Sequence, residues 1–305
     1  MHVSIYQSSR QSSIETNQQG PAIYQADDTP SLPLESYTVG WICAKPCELT
    51  AASAMLDRRH ARPKNQSQHD ENNYTLGSIA GHNIAILCVG GGVPTPVNNT
   101  GKANDICLGD VVVSLPAEQG GEIDGFRRVG VLNKPPILLQ TAVASLRAEW
   151  HLGRQLTGLI QEIYPGRDKD VLFAPEYKYY FSKVQNCNTC LESRGPDYIT
   201  TRAMRNTTHP MVHYGNIESG NSLIKDRLER DKLAWRDNII CFEMEAAGLM
   251  DNLLYLVIYG ISDYADSHMN GRWQPYAAAA AASFAKKLVL IITSQDIDSL
   301  APIQG

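Results

Sequence analysis

Two acidic clusters in the chain each follow an apolar run. The first is Phe242-Glu243-Met244-Glu245-Ala246 and the second is Ser262-Asp263-Tyr264-Ala265-Asp266. Carboxylates at such junctions can transfer protons or accept hydrogen bonds from a ligand. They can also cap the helix that follows, because negative charge is favourable at a helix N-terminus. Two clusters about 18 residues apart, at the ends of successive strands, exceed what capping requires. Successive strands of a wound sheet would bring both into one crevice.

Other candidates are weaker. Glu48 follows Pro46 and is either a working acid or a first-turn helix carboxylate. Asn221, after Ser219-Gly220, can touch a ligand or cap the next helix. Gly90-Gly91-Gly92 matches neither a dinucleotide fingerprint nor a phosphate loop. Cys187-Asn188-Thr189-Cys190 is a single CxxC, whereas a structural zinc site needs four ligands, so no metal is expected.

The elements that must hold these residues alternate. Residues 37–43 are β-branched and aromatic, typical of a buried strand, and 48–56 read as a helix with Pro46 in its first turn. Residues 74–80 and 84–89 predict a hairpin around Gly81-His82-Asn83. Further strands are expected over 109–114, 213–217, 239–242 and 255–261. Apolar spacing predicts a helix or helix pair over 135–165, with helices over 222–235 and 243–254. A last helix should run from about Pro275 through the alanine block to Ile291. Residues 166–210 carry no assignable period. Residues 1–36, rich in Gln, Ser and Pro, read as a disordered tail. The domain then spans 37–293, with a C-terminal tail over 294–305. Alternation with polar residues at strand ends marks an α/β sheet whose site lies at strand carboxyl ends.

Composition narrows the function classes. The 305 residues are 43% hydrophobic and 19% charged, enough for a sizeable core. A net charge of −5 without a basic run argues against a nucleic-acid reader or an electrostatic membrane anchor. No apolar stretch reaches membrane-spanning length, and the start lacks a signal-peptide pattern. Seven scattered cysteines fit reduced thiols in the cytosol or nucleus.

Taken in order, several blocks resemble the nucleoside phosphorylase and nucleosidase superfamily. They are Gly40-Trp41-Ile42-Cys43-Ala44 with Glu48, the glycines before Val93-Pro94, and Leu108-Gly109-Asp110-Val111-Val112-Val113-Ser114. Ser219-Gly220-Asn221, the Glu243–Glu245 cluster and Ile261-Ser262-Asp263 complete them. Matching blocks cover about 37–290. Within the superfamily the chain is most similar to fungal nucleoside phosphorylase-like domains, often found at the start of larger NACHT, ankyrin or tetratricopeptide proteins. The resemblance implies a three-layer α/β/α sandwich with a central mixed sheet. It also implies cleavage of the N-glycosidic bond of purine nucleosides or nucleotides, by phosphorolysis or hydrolysis. A cytoplasmic homo-oligomer without cofactor is expected, with phosphate as co-substrate if the reaction is phosphorolytic. Its alternative is a catalytically impaired nucleoside-binding or signalling module.

By this resemblance Asp263 protonates the leaving purine at N7, which would need a raised pKa from partial burial. Glu245 binds the ribose hydroxyls, Met244 lies against the sugar, and Glu243 is a second ribose-side candidate. Phe242 stacks on the base, with Ser262 and Asn221 beside it. Glu48 orients and deprotonates water, and Gly90, Gly91 and Gly92 form the nucleophile loop. Asp266 is expected to be structural, a cap or a partner of Arg272 or His268.

The chain departs from the pattern on the nucleophile side. Cys88 runs almost directly into Gly90, so one βα unit of about 30 residues is missing there. Its loss removes an anion-binding helix start and a central strand, whose ladder partners must pair elsewhere. Tyr259 stands where the family has an arginine, and tyrosine cannot replace a permanent cation.

Overall fold

Neighbouring residues of a strand face opposite sides of a sheet. Val111, Val112 and Val113 are nevertheless all fully buried, as are Leu256, Val257 and Ile258. Both faces of the central strands are therefore covered, and the fold is the expected three-layer α/β/α class on a mixed sheet.

The computed structural model describes residues 2–5, 30–63, 70, 72–89, 105–114, 135–151, 160–174, 176–177, 195–219, 226–243, 255–268 and 271–298. In chain order the first half gives β1 (His2–Ile5), β2 (Val39–Cys43), α1 (Pro46–Met55), β3 (Arg58–Arg59), β4 (Tyr74–Ile79) and β5 (His82–Cys88). Then come β6 (Val111–Ser114), α2 (Ile137–His151), β7 (Val212–Ser219), α3 (Arg227–Asp237) and β8 (Ile239–Glu243). The last elements are β9 (Tyr255–Gly260), α4 (Gln274–Ile291) and α5 (Ser294–Asp298). The strands form one sheet in the order β3-β4-β5-β2-β1-β9-β6-β7-β8. The expected helix over 244–254 and the later part of 135–165, residues 152–159, lie outside the described residues.

β5 joins β2 directly in parallel, Cys43 opposite Cys88. The other edge of β2 is taken by β1, antiparallel, from His2 opposite Ile42 to Ile5 opposite Val39. β1 also pairs antiparallel with β9. The expected disordered tail is thus corrected at residues 2–5, and residues 34–36 form a 3-10 turn. The physical reason is the ladder itself: unpaired N–H and C=O groups in mid-sheet are costly, and a four-residue strand satisfies two edges at once. Residues 6–29 lie outside the described residues. The C-terminal tail is corrected as well, since residues 294–298 form α5 and Ile297 is buried in the core.

The hairpin turn falls at Ala80-Gly81, both with positive φ (52° and 86°), so His82 already belongs to β5. The alanine block has a packing role. Ala277 to Ala282 are all buried, and α4 lies so close over β9 that a Cβ at Gly260 would sit 1.9 Å from the Ala277 carbonyl oxygen. Lys286 at the far end of α4 donates to the Met55 carbonyl (2.7 Å) and to Asp57 (2.6 Å), tying α4 to the end of α1.

Candidate active site

β9 ends at Gly260, and the chain then turns across the start of β6. Gly109 N–H donates to the Ile261 carbonyl (2.7 Å), and Ile261 N–H donates to the Asp110 carbonyl (2.9 Å). Ser262, Asp263, Tyr264, Ala265 and Asp266 are all buried. Asp263 accepts from the Ala265 N–H (3.2 Å), and Ser262 Oγ lies 3.4 Å from its other oxygen. Burial pushes the Asp263 carboxyl up to about 7, with the Asp266 charge adding to the rise. The Ala265 and Ser262 hydrogen bonds and the Lys45 charge pull the other way. Burial thus favours the protonated carboxyl toward neutral pH, the form a general acid needs. Asp266 accepts from the His268 N–H (2.8 Å), the structural role expected of it.

Buried polar groups that the sequence did not reveal hold this loop. Tyr264 Oη donates to Asp170 and accepts from Arg202 Nη1 (2.7 Å), while Arg202 Nη2 pairs with Asp170 at 2.9 Å. Arg230 Nη1 donates to the Tyr264 carbonyl from α3. Asp110 anchors the start of β6. It accepts from Arg205 Nη1 (2.9 Å) and Nη2 (2.8 Å), from Met211 N–H (2.9 Å), from Cys107 N–H (2.9 Å), and lies 2.9 Å from His213 Nε2. Burial alone would raise its pKa, but the His213 and Arg205 hydrogen bonds outweigh it, and the net shift is downward. A cavity of about 370 Å³ opens beside these residues. Its Arg202 and Arg205 are committed to Asp170 and Asp110, so it belongs to the framework.

Glu48 sits in the first turn of α1, where Oε2 accepts the Ala44 N–H at 2.9 Å. Glu48 is thus a first-turn helix carboxylate, and it also lines a small crevice with Lys45, Tyr259, Ser262 and Gln274. The crevice holds about 20 Å³, room for one water molecule. Glu48 and Ser262 thus meet at one crevice, and Asp263 follows Ser262 in the chain. Lys45, close enough for its charge to act on Asp263, was not among the sequence candidates.

β8, which carries Phe242 and Glu243 of the first acidic cluster, is placed differently from expectation. β8 is separated from β9 by β6 and β7, and it runs antiparallel to β9, so the two are not neighbours in a wound sheet. The reason is that β9 pairs antiparallel to β6 while β7 and β8 extend β6 in parallel. What joins the two regions is α3, which precedes β8 and reaches Tyr264 through Arg230. Glu243 is buried at the end of β8. Phe242 is packed with Ala234 and Ile239 under α3. Met244, Glu245, Asn221, Gly90, Gly91, Gly92 and the Cys187/Cys190 pair lie outside the described residues. Among the described residues, no group of three or more His, Cys, Asp or Glu side chains could hold a metal, and no helix is long and apolar enough to cross a membrane.

No protein-family model matches the chain. A nucleotide-binding leucine-rich repeat (NLR)-like protein of Hyaloscypha variabilis is 42% identical over 308 residues, covering 87% of this chain. The chain spans about 30% of that relative's length. Among solved structures, the 5′-methylthioadenosine/S-adenosylhomocysteine nucleosidase of Neisseria meningitidis with methylthio-immucillin-A covers 83% of this chain and 98% of its own, at 14% identity and a TM-score of 0.47. The S-adenosylhomocysteine nucleosidase of Streptococcus pyogenes with 5-methylthiotubericidin covers 87% and 98%, at 15% identity and a TM-score of 0.46.

Proposed function

We propose that the chain cleaves the N-glycosidic bond of purine nucleosides or nucleotides, with Asp263 as the acid for the departing base. The observation that carries this reading is a buried carboxyl at a strand end whose pKa is pushed up to about 7. As the bond breaks, positive charge grows on the ribose and electrons flow into the base. A proton delivered at N7 neutralises the base, an effect worth typically ~10²–10⁴ in rate. Glu48 serves the nucleophile side by orienting and deprotonating water, or by flanking phosphate in the phosphorolytic case. Glu245 and Glu243 bind the ribose hydroxyls, with Met244 against the sugar. The unit works as a cytoplasmic homo-oligomer.

A second reading is supported by Tyr259, which brings no permanent cation to the crevice, and by the NLR-like relative. In it the chain is a nucleoside-binding signalling module that has lost turnover. Incubation with adenosine, inosine, methylthioadenosine or ATP, with and without phosphate, separates the two. Free base in the product supports the enzyme, whereas calorimetric binding without release supports the module.

A further inference from the structure

α3 has eleven residues and begins at Arg227 under an Asp226 cap, whose carboxylate accepts from the Leu228 (2.9 Å) and Glu229 (3.4 Å) N–H groups. Arg227 and Arg230 are three residues apart and so share one helix face. They are 8% and 0% exposed. Arg230 is fully engaged: Nε donates to Asp231 (2.7 Å), Nη2 to the same carboxylate, and Nη1 to the Tyr264 carbonyl.

Arg227 is not engaged in this way. Its Nε and Nη1 are buried with no hydrogen-bond partner. Asp231 lies between the two arginines: its Oδ1 is bound by Arg230, and its Oδ2 is 3.7 Å from Arg227 Nε, an ion pair beyond hydrogen-bond distance. Asp266 and Glu176 act on its charge from nearby, but Asp266 is spent on the His268 N–H and Glu176 is exposed. Burial, and then repulsion from Arg230, lower its pKa. A guanidinium stripped of water with its donors unfilled is costly, and an apolar side chain of similar volume would pack there at less cost. The Leu228 and Glu229 N–H groups are taken by Asp226, so the unfilled Arg227 Nε and Nη1 donors carry the site, and the planar guanidinium fork matches a phosphoryl group.

We propose that Arg227 anchors a phosphoryl-binding site at the start of α3, on the flank of the Asp263 loop. The bond from Arg230 to the Tyr264 carbonyl holds this helix end one residue from Asp263 in the chain. The phosphoryl group belongs either to a phosphorylated nucleoside substrate or to inorganic phosphate. Only the identity of that carrier rests on the glycosidic-cleavage reading.

The test compares the wild type with Arg227→Met and Arg227→Lys, using inorganic phosphate, adenosine and adenosine 5′-monophosphate as probes at fixed ionic strength. The wild type should bind the monophosphate at least tenfold more tightly than adenosine, or show adenosine cleavage stimulated by phosphate; the first result assigns the 5′-phosphate and the second the co-substrate. Arg227→Met should abolish that advantage while leaving adenosine affinity and Tm unchanged or Tm raised. Arg227→Lys, which keeps the charge but lacks the fork, should lose part of it. Equal binding of adenosine and its monophosphate by the wild type, with no phosphate effect, overturns the proposal. So does a variant that loses Tm but keeps the phosphate preference. If adenosine is neither bound nor cleaved yet phosphate raises the Tm of the wild type alone, the site stands and the cleavage reading falls. If adenosine is cleaved and Arg227→Met matches the wild type with every probe, the reverse holds.

Discussion

Asp263, the proposed acid, and Glu48, the proposed nucleophile-side residue, are held in different ways. Asp263 lies on a fully buried loop, pinned through Tyr264 to Arg202, Asp170 and Arg230, and through Ile261 to the Asp110 anchor. Glu48 is half-buried in a helix's first turn and has one oxygen committed to a backbone N–H. Its neighbours in the crevice include Tyr259, Lys45 and Gln274. A buried polar network can set a pKa; a crevice with room for one water molecule fixes the nucleophile less closely. In the proposed reaction, departure of the base would be the firmly held half and the choice of nucleophile the adaptable half.

The largest expected effect breaks the firmly held half. Asp110→Ala leaves Arg205 buried without its carboxylate and should cost about 3–5 kcal/mol in urea unfolding. It should also lower activity by releasing the Asp263 loop. Next is the pH dependence. The folded pKa of Asp263 is raised, so the stability its proton contributes is full below about 4 and is lost as pH rises through about 7. Turnover should fall about tenfold per pH unit above that pKa. Asp263→Asn should exceed the wild type in stability at pH 8, by on the order of 2–4 kcal/mol, with the gap closing near pH 4. The smallest effect lies on the adaptable side. Glu48→Gln should slow turnover by roughly tenfold to a hundredfold. Its amide oxygen still caps Ala44, so Tm should change little; a large loss of Tm would make Glu48 structural.

The parts of the fold that could be read from sequence are those with local signals. Residues 37–43 and 255–261, with their apolar runs, announced β2 and β9, and the alanine block announced α4. Asp263 was legible because it closes such a run. β1 was not, because His2-Val3-Ser4-Ile5 has neither length nor flanking turns, and only its two ladder partners make it a strand. The Asp110–Arg205 and Asp170–Arg202 pairs were hidden because their members lie 95 and 32 residues apart, in stretches without period. Placing β8 beside β9 failed for a related reason: strand order depends on pairing, which the succession of elements does not encode. Lys45 had no signal beyond its position before Pro46.

The most direct test of the account is base release by the wild type and Asp263→Asn under single-turnover conditions with a purine nucleoside, alongside binding of the same ligand by calorimetry. The variant should bind with wild-type affinity and release base at least a hundredfold more slowly. Equal release rates in the two proteins would contradict it.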